Sequence, residues 1–226
     1  MMLGYLNTIQ VECDQHLVNE HIKSLTQYIA SEAKTKEIVW EYQIPELGEG
    51  GSCSLFGELQ KEPFDLKSIL LKNQKTIEHE LFECMNALTK IVTYVSQKTN
   101  LDWFGIYQKR FVLSETELVK LAYHGAPSRP LFPLTSEFAK LSNNVQVALT
   151  KKGRIINDIP KYQSSGGEYY ICDPKVKSEV CLPILTASGE MLGIIDAEAF
   201  KVDFFDENTL ALLIAACLLI PNYLPA

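Results

Sequence analysis

Tyr170-Ile-Cys-Asp-Pro-Lys-Val-Lys-Ser-Glu-Val-Cys-Leu-Pro-Ile184 and, beyond a break at Gly189, Leu192-Gly-Ile-Ile-Asp-Ala-Glu198 decide how this chain is read. The first stretch opens as a polar loop carrying Cys172 and Asp173, then runs into a strand-like segment from Ser178 to Leu185. Two apolar runs of this length around a glycine read as the strands of a hairpin. Side chains alternate across a strand, so Glu179 and Cys181 share one face, and Ile194, Asp196 and Glu198 share one face of the next strand. One thiol, Cys172, and three carboxylates therefore gather at a hairpin. Acids inside apolar strands are costly unless used or paired, which marks this hairpin as a candidate site.

Working outward, the residues upstream change period at Asn100. Trp103-Phe-Gly-Ile-Tyr107 and Leu118 to His124 read as strands joined by a polar turn. Ser142 to Lys152 predicts a short helix ending at Gly153, followed by a short strand from Arg154 to Asp158 and a Ser/Gly-rich loop from Tyr162 to Tyr170. Before Asn100, one apolar stripe through Leu70, Ile77, Leu81, Met85, Leu88, Val92 and Val95 predicts a long helix opened by Asp65. Further back, Leu17, Val18, Ile22, Leu25 and Ile29 fall on one face of a helix that Asp14 can cap. The Gly48–Gly57 stretch is turn-rich and lacks the Lys-Ser/Thr of a phosphate loop. At the other end, Phe204-Phe-Asp206 staples and caps a final apolar helix stopped by Pro221. Hairpins with helices before and after give an α+β domain, a central antiparallel β-sheet with helices packed on one face.

Composition narrows the partners. The 226 residues are 46% hydrophobic and 22% charged, in the range of an ordinary globular chain. A net charge of −7 argues against nucleic acid, whose phosphates need a basic surface. No apolar run reaches the ~18–20 residues of a membrane span, and no secretory signal opens the chain, so the cytoplasm is the expected compartment. Six irregularly spaced cysteines form no CxxC pair, and four scattered histidines have no metal-ligand spacing. Neither a disulfide framework nor a metal is expected, and nothing calls for a cofactor.

Residues 80–220 resemble a GAF domain: long helix, Trp-Phe-Gly-Ile-Tyr strand, and a closing helix after Phe204-Phe-Asp. Among GAF proteins the hairpin resembles free methionine-(R)-sulfoxide reductase. That family's Cys-Asp…Ser-x-Ser-Glu-Ile-Val-x-Pro run corresponds to Cys172 to Pro183, and its Gly-Val-Leu-Asp-Ile-Asp to Gly193 to Glu198. The resemblance implies a GAF-like domain over 65–226 and an N-terminal helical extension with a Gly-rich connector over 1–64. It implies Cys172 as nucleophile, Glu179 and Asp196 as catalytic acids, and Trp103, Tyr107, Asp173 and Glu198 around the substrate. The chemistry is coherent, because a thiolate attacks sulfoxide sulfur and the departing oxygen needs a proton. Clustered acids raise one another's pKa, so one keeps a proton near neutrality.

Two departures stand out. Glu198 replaces an aspartate, and the family's two further cysteines, in the segment matching Ala126 to Leu149, have no counterpart here. Cys181 is then the nearest candidate resolving thiol. The other route is reduction of the Cys172 sulfenic acid by thioredoxin or a small thiol. The competing reading is a non-catalytic GAF sensor or ligand-binding module for a small amine or amino acid, with a homodimer as one candidate assembly.

Overall fold

The computed structural model describes residues 2–32, 37–47, 54–72, 77–112, 114–169 and 173–226, with backbone alone at 54–56. Cys172 lies outside these residues, as does the 48–53 part of the Gly-rich stretch. The chain opens with helices α1 (Met2–Ile9) and α2 (Gln15–Ala30). Four short strands follow, β1 (Glu41–Tyr42), β2 (Pro45–Leu47), β3 (Ser54–Leu59) and β4 (Phe64–Asp65), then helices α3 (Leu66–Leu71) and α4 (Glu78–Thr99). Next come strands β5 (Trp103–Val112), β6 (Glu115–His124) and β7 (Leu131–Pro133), helices α5 (Ser136–Ala139) and α6 (Asn143–Thr150), and β8 (Arg154–Ile156). Helix α7 (Ile159–Ser164), strands β9 (Ser178–Leu185) and β10 (Met191–Ala199), and helix α8 (Glu207–Leu219) complete it.

Strands β7-β6-β5-β10-β9-β8 form one six-stranded antiparallel sheet. The expected α+β architecture is the one observed. The β9–β10 hairpin turns at Gly189, whose φ of +81° suits glycine. β10 also pairs with β5, so the two sequence-local hairpins are joined edge to edge.

Helices α4 and α8 pack on the sheet with α2 against both, while α6 reaches β9 and β10 from the side that carries the acids. The one-face placement of helices is thus corrected. The Ser142-capped helix has a buried surface of its own, including Val145, Val147 and Ala148, that must be covered. The single long helix over Asp65–Asn100 is corrected too. Asp65 caps α3 by accepting from the Ser68 backbone N–H, and α4 begins separately after Ile77. Both helices keep the apolar stripe, so periodicity alone cannot reveal the interruption.

The amino-terminal elements share the main core. Asp14 accepts from the His16 backbone N–H at the start of α2, and Val18, Leu25 and Ile29 are buried from there. In α1, Ile9 is fully buried, and the Tyr5 hydroxyl donates to the Pro183 carbonyl in β9 at 2.8 Å. These residues form one apolar cluster with Ile91 of α4, Ile195 of β10 and Leu213 of α8.

Candidate functional site

Register places the acids. Glu198 pairs across β9 with Glu179 and across β5 with Trp103, whereas Asp196 pairs with Cys181 and Gly105. Directly opposed residues share a face, so Glu179, Asp196, Glu198, Trp103 and Tyr107 point to the same side. Gly105 is the gap in this lattice. A Cβ there would sit 2.2 Å from Cη2 of Trp103, so only glycine lets the indole fold down beside Asp196. The indole N–H donates to the Ala126 carbonyl at 3.1 Å, and Tyr107 donates to the Arg129 carbonyl at 3.3 Å.

Above these strands lies a cavity of about 330 Å³. Trp103, Tyr107, Asp173, Glu179, Asp196 and Glu198 all line it, which brings together every described member of the expected site except Cys181. Cys181 is fully buried beside Asp196 and does not line the cavity; burial pushes its thiol well up, and the neighbouring Asp196 and Glu179 add to the rise. Asp173 accepts from the Lys175 backbone N–H at 2.8 Å, which turns the chain just after the undescribed Cys172.

Three side chains absent from the sequence reading complete the acid end. α6 starts with Asn143 and Asn144, both buried. Asn143 Nδ2 donates to Glu179 at 3.1 Å, and Asn144 Nδ2 donates to Asp196 Oδ2 at 3.0 Å. Tyr169, packed on a small cluster of Ile156, Ile159 and Val176, donates its hydroxyl to Glu179 Oε2. Among the described residues neither Asp196 Oδ1 nor Asn144 Oδ1, both buried, has a hydrogen-bond partner, while the nearby Ala197 backbone N–H works against the rise in the Asp196 pKa. Buried polar atoms are usually paired, so two orphan acceptors on one cavity wall are a feature to be explained.

The electrostatics follow from the packing. Burial raises the Glu179 carboxyl, while hydrogen bonds from Tyr169 and Asn143 and the Arg154 charge pull it back. Burial raises Asp196 well above the ordinary carboxylate range, and the Glu179 charge adds to it. Glu198 is raised well above as well, by burial first and then by Asp196 and Glu179. Glu179 is therefore the acid whose rise is most opposed by neighbouring donors, while Asp196 and Glu198 are raised further. Among the described residues no group of three or more His, Cys, Asp or Glu is arranged to hold a metal ion.

Lys120 is a second feature the sequence concealed. It is fully buried in β6, donates to the Ser128 carbonyl at 2.8 Å and to Ser128 Oγ at 2.7 Å, and lies 4.1 Å from the Tyr123 ring centroid and 4.8 Å from that of Tyr42. Burial lowers its pKa well below that of a free lysine. Ring faces and two acceptors offset part of the desolvation of its ammonium group. They also fix Ser128, on the cavity wall, to the strand beneath it.

The GAF domain family matches residues 86–221. The chain belongs to the GAF domain family. Within it, the domain is 27% identical over 113 residues to the free methionine-R-sulfoxide reductase of Saccharomyces cerevisiae, covering 50% of this chain and 57% of that protein. The chain thus spans only a little over half the length of that curated relative. Among solved structures, a type II free methionine-R-sulfoxide reductase from Thermoplasma acidophilum is 20% identical, with a TM-score of 0.53 over 64% of this chain and 94% of its own. The GAF domain of a phosphoenolpyruvate-protein phosphotransferase from Coxiella burnetii is 12% identical, with a TM-score of 0.56 over 93% of this chain and 94% of its own. These two likenesses show the GAF fold. No helix among the described residues is long and apolar enough to cross a membrane.

Proposed function

We propose that this GAF domain binds a small ammonium-bearing molecule at the acid end of its cavity, and that it reduces free methionine-(R)-sulfoxide there through Cys172. The observation that carries the binding step is the pair of acceptors without a partner among the described residues, Asp196 Oδ1 and Asn144 Oδ1, beside the Glu179 carboxyl. An ammonium group has three donors and no acceptor, so it satisfies both without creating a new orphan. The likeness to the Saccharomyces cerevisiae reductase and the Cys172 to Pro183 motif support the reductase step.

In that step the Cys172 sulfur attacks the sulfoxide sulfur and takes over its oxygen as a sulfenic acid, while the sulfoxide becomes a thioether. The developing hydroxyl draws its proton from a raised carboxyl, with Glu198 as donor. Two equivalents of thiol then return the sulfenic acid to thiol, releasing water and a disulfide. The buried position of Cys181 favours an external thiol, a small one or thioredoxin, as reductant. Such a reductant belongs to the cytoplasm, the compartment proposed here.

A second reading keeps the pocket and drops the turnover. It is favoured by the absence of any cysteine between Cys84 and Cys172. Incubation of the full chain with free methionine-(R)-sulfoxide and dithiothreitol, with methionine quantified, separates the two. We expect methionine from the native chain and none from Cys172→Ser. Equal turnover in both would remove Cys172 as nucleophile, and no methionine from the native chain would leave the binding module.

A further inference from the structure

Hydrogen-bond donors are shared unevenly among the three acids. Glu179 accepts at both oxygens: Asn143 Nδ2 reaches Oε1 at 3.1 Å and Oε2 at 3.3 Å, and the Tyr169 hydroxyl donates to Oε2. Asp196 has one donor side chain, Asn144, at 3.0 Å. Among the described residues the Glu198 carboxyl has no such donor, although Glu198 stands directly opposite Glu179 across the β9–β10 ladder. The three carboxyls line one cavity, and the charge of one opposes ionisation of the next. Like charges this close do not ionise together, so the donors decide which carboxyl loses its proton first.

Tyr169 is built for that task. It lines the cavity, and it packs on Ile156, Ile159 and Val176, apart from the main core. The backbone around it is tied down: Gln163 Nε2 donates to the Tyr169 carbonyl at 3.3 Å, and Arg154 donates to the Glu168 carbonyl at 2.6 Å. An O–H held against a carboxylate in this way makes a strong, preorganised bond. Burial first, and then Glu179, Glu198 and Asp196, push the phenol's own pKa up, so Tyr169 keeps its proton and serves as a donor. The titratable and charged groups acting on Glu179 are Arg154 of β8, Cys181 of β9, Asp196 and Glu198 of β10, and Tyr169, with Asp173 acting on Glu198. Of these, Tyr169 is the one hydrogen-bonded to the Glu179 carboxyl.

We infer that Tyr169 is the positioning residue of the acid cluster: its hydroxyl makes Glu179 the first of the three carboxyls to give up a proton, and so places the cluster's charge on β9. For its consequence the inference rests on the function proposed above. An ammonium head at Asp196 and Asn144 then has its counter-charge on Glu179, while Glu198 keeps the proton that the sulfoxide oxygen takes. Tyr169 thus orients the guest without reacting with it.

The test is a carbon-13 NMR titration of the side-chain carboxyls in the full chain, native and Tyr169→Phe, with no guest added. Phenylalanine keeps the ring that Ile156, Ile159 and Val176 hold and removes only the hydroxyl. In the native chain we expect Glu179 to titrate below Asp196 and Glu198. In Tyr169→Phe its midpoint should rise by about 1–2 pH units, the equivalent of one hydrogen bond to a charged group, and that of Asp196 should fall. A Glu179 midpoint unmoved by the substitution overturns the inference, and so, without any variant, does a native order with Glu179 above the other two. The dithiothreitol assay supplies a second readout. The acid limb of kcat/KM for methionine-(R)-sulfoxide should move up with the Glu179 midpoint, whereas a loss of packing alone lowers activity at every pH and leaves the limb in place. An unmoved limb overturns the link between that charge and the substrate. A shifted Glu179 midpoint in a chain that yields no methionine sustains the role of Tyr169 and removes the reductase reading, so the two fail separately.

Discussion

Asp196→Asn should make the protein more stable and less able to bind. Asp196 Oδ1 and Asn144 Oδ1 are buried and have no partner among the described residues, and each buried atom left unpaired costs about 1–3 kcal/mol. An amide at position 196 still accepts from Asn144 Nδ2 and turns one buried acceptor into a donor. It also removes a carboxyl that burial and Glu179 hold well above its usual pKa. At neutral pH we expect a net gain of about 1–3 kcal/mol, or about 2–4 °C per kcal/mol for a chain of this length.

The sign of the pH dependence is fixed. With a raised pKa in the fold, the native state binds more protons than the unfolded chain between the two pKa values. Stability is then fully present below the ordinary carboxylate range and is lost as pH rises, by up to about 1.4 kcal/mol per pH unit for each proton. Urea and thermal denaturation across acid to mildly alkaline pH should give a shallower decline for Asp196→Asn. Glu179→Gln is the contrast. Glu179 accepts from Asn143 and Tyr169, so an amide there sets N–H against a donor and destabilises by a similar amount. Destabilisation by Asp196→Asn, or an undiminished pH slope, would refute the orphan-acceptor argument.

Other perturbations probe the frame. Gly105→Ala should displace the Trp103 indole, because the new methyl falls 2.2 Å from the ring; a loss of about 1–3 kcal/mol and a changed near-ultraviolet dichroism signal are expected. Lys120→Ala should cost more than Lys120→Met, since both leave the Ser128 carbonyl without its donor at about 1–3 kcal/mol but only alanine opens a void; urea midpoints rank them. Because burial lowers the Lys120 pKa, its own contribution makes stability rise with pH toward the ordinary lysine range. Leu25→Ala, at a fully buried position in α2, should cost about 2–5 kcal/mol in one cooperative transition, and a separate early transition would show that α2 is only loosely attached.

How much of this was legible in the sequence depended on what each residue's pattern could carry. Alternation in Ser178–Leu185 and Leu192–Glu198 was enough to put Glu179 with Cys181 and Asp196 with Glu198, because strand period two allows only that pairing of faces. Trp103 and Tyr107 came from the family resemblance alone, because their place opposite the acids depends on β5 pairing with β10, which alternation within one strand does not give. Asn143 and Asn144 stayed hidden, since amides after Ser142 read as the polar first turn of a capped helix, and their partners lie 36 and 52 residues away. Tyr169 looked like loop filler beside Gly166 and Gly167; its anchoring on Ile156 and Val176 is a tertiary contact. Lys120 offered no sign at all, because lysine is almost never fully buried and its rings come from β1, β5 and β6.

The seat of Trp103 also makes the domain its own optical probe. The chain has two tryptophans, Trp40 and Trp103. Trp40 stands apart beside Lys67, at 5.9 Å from ammonium to ring centroid. Trp103 lies on the cavity floor with the raised carboxyls next to it and its N–H held by Ala126. Any guest that reaches the acids displaces solvent from that indole, so occupancy is readable as a shift in emission wavelength without a label. Replacing Trp40 with phenylalanine leaves a single emitter whose colour reports on the pocket alone.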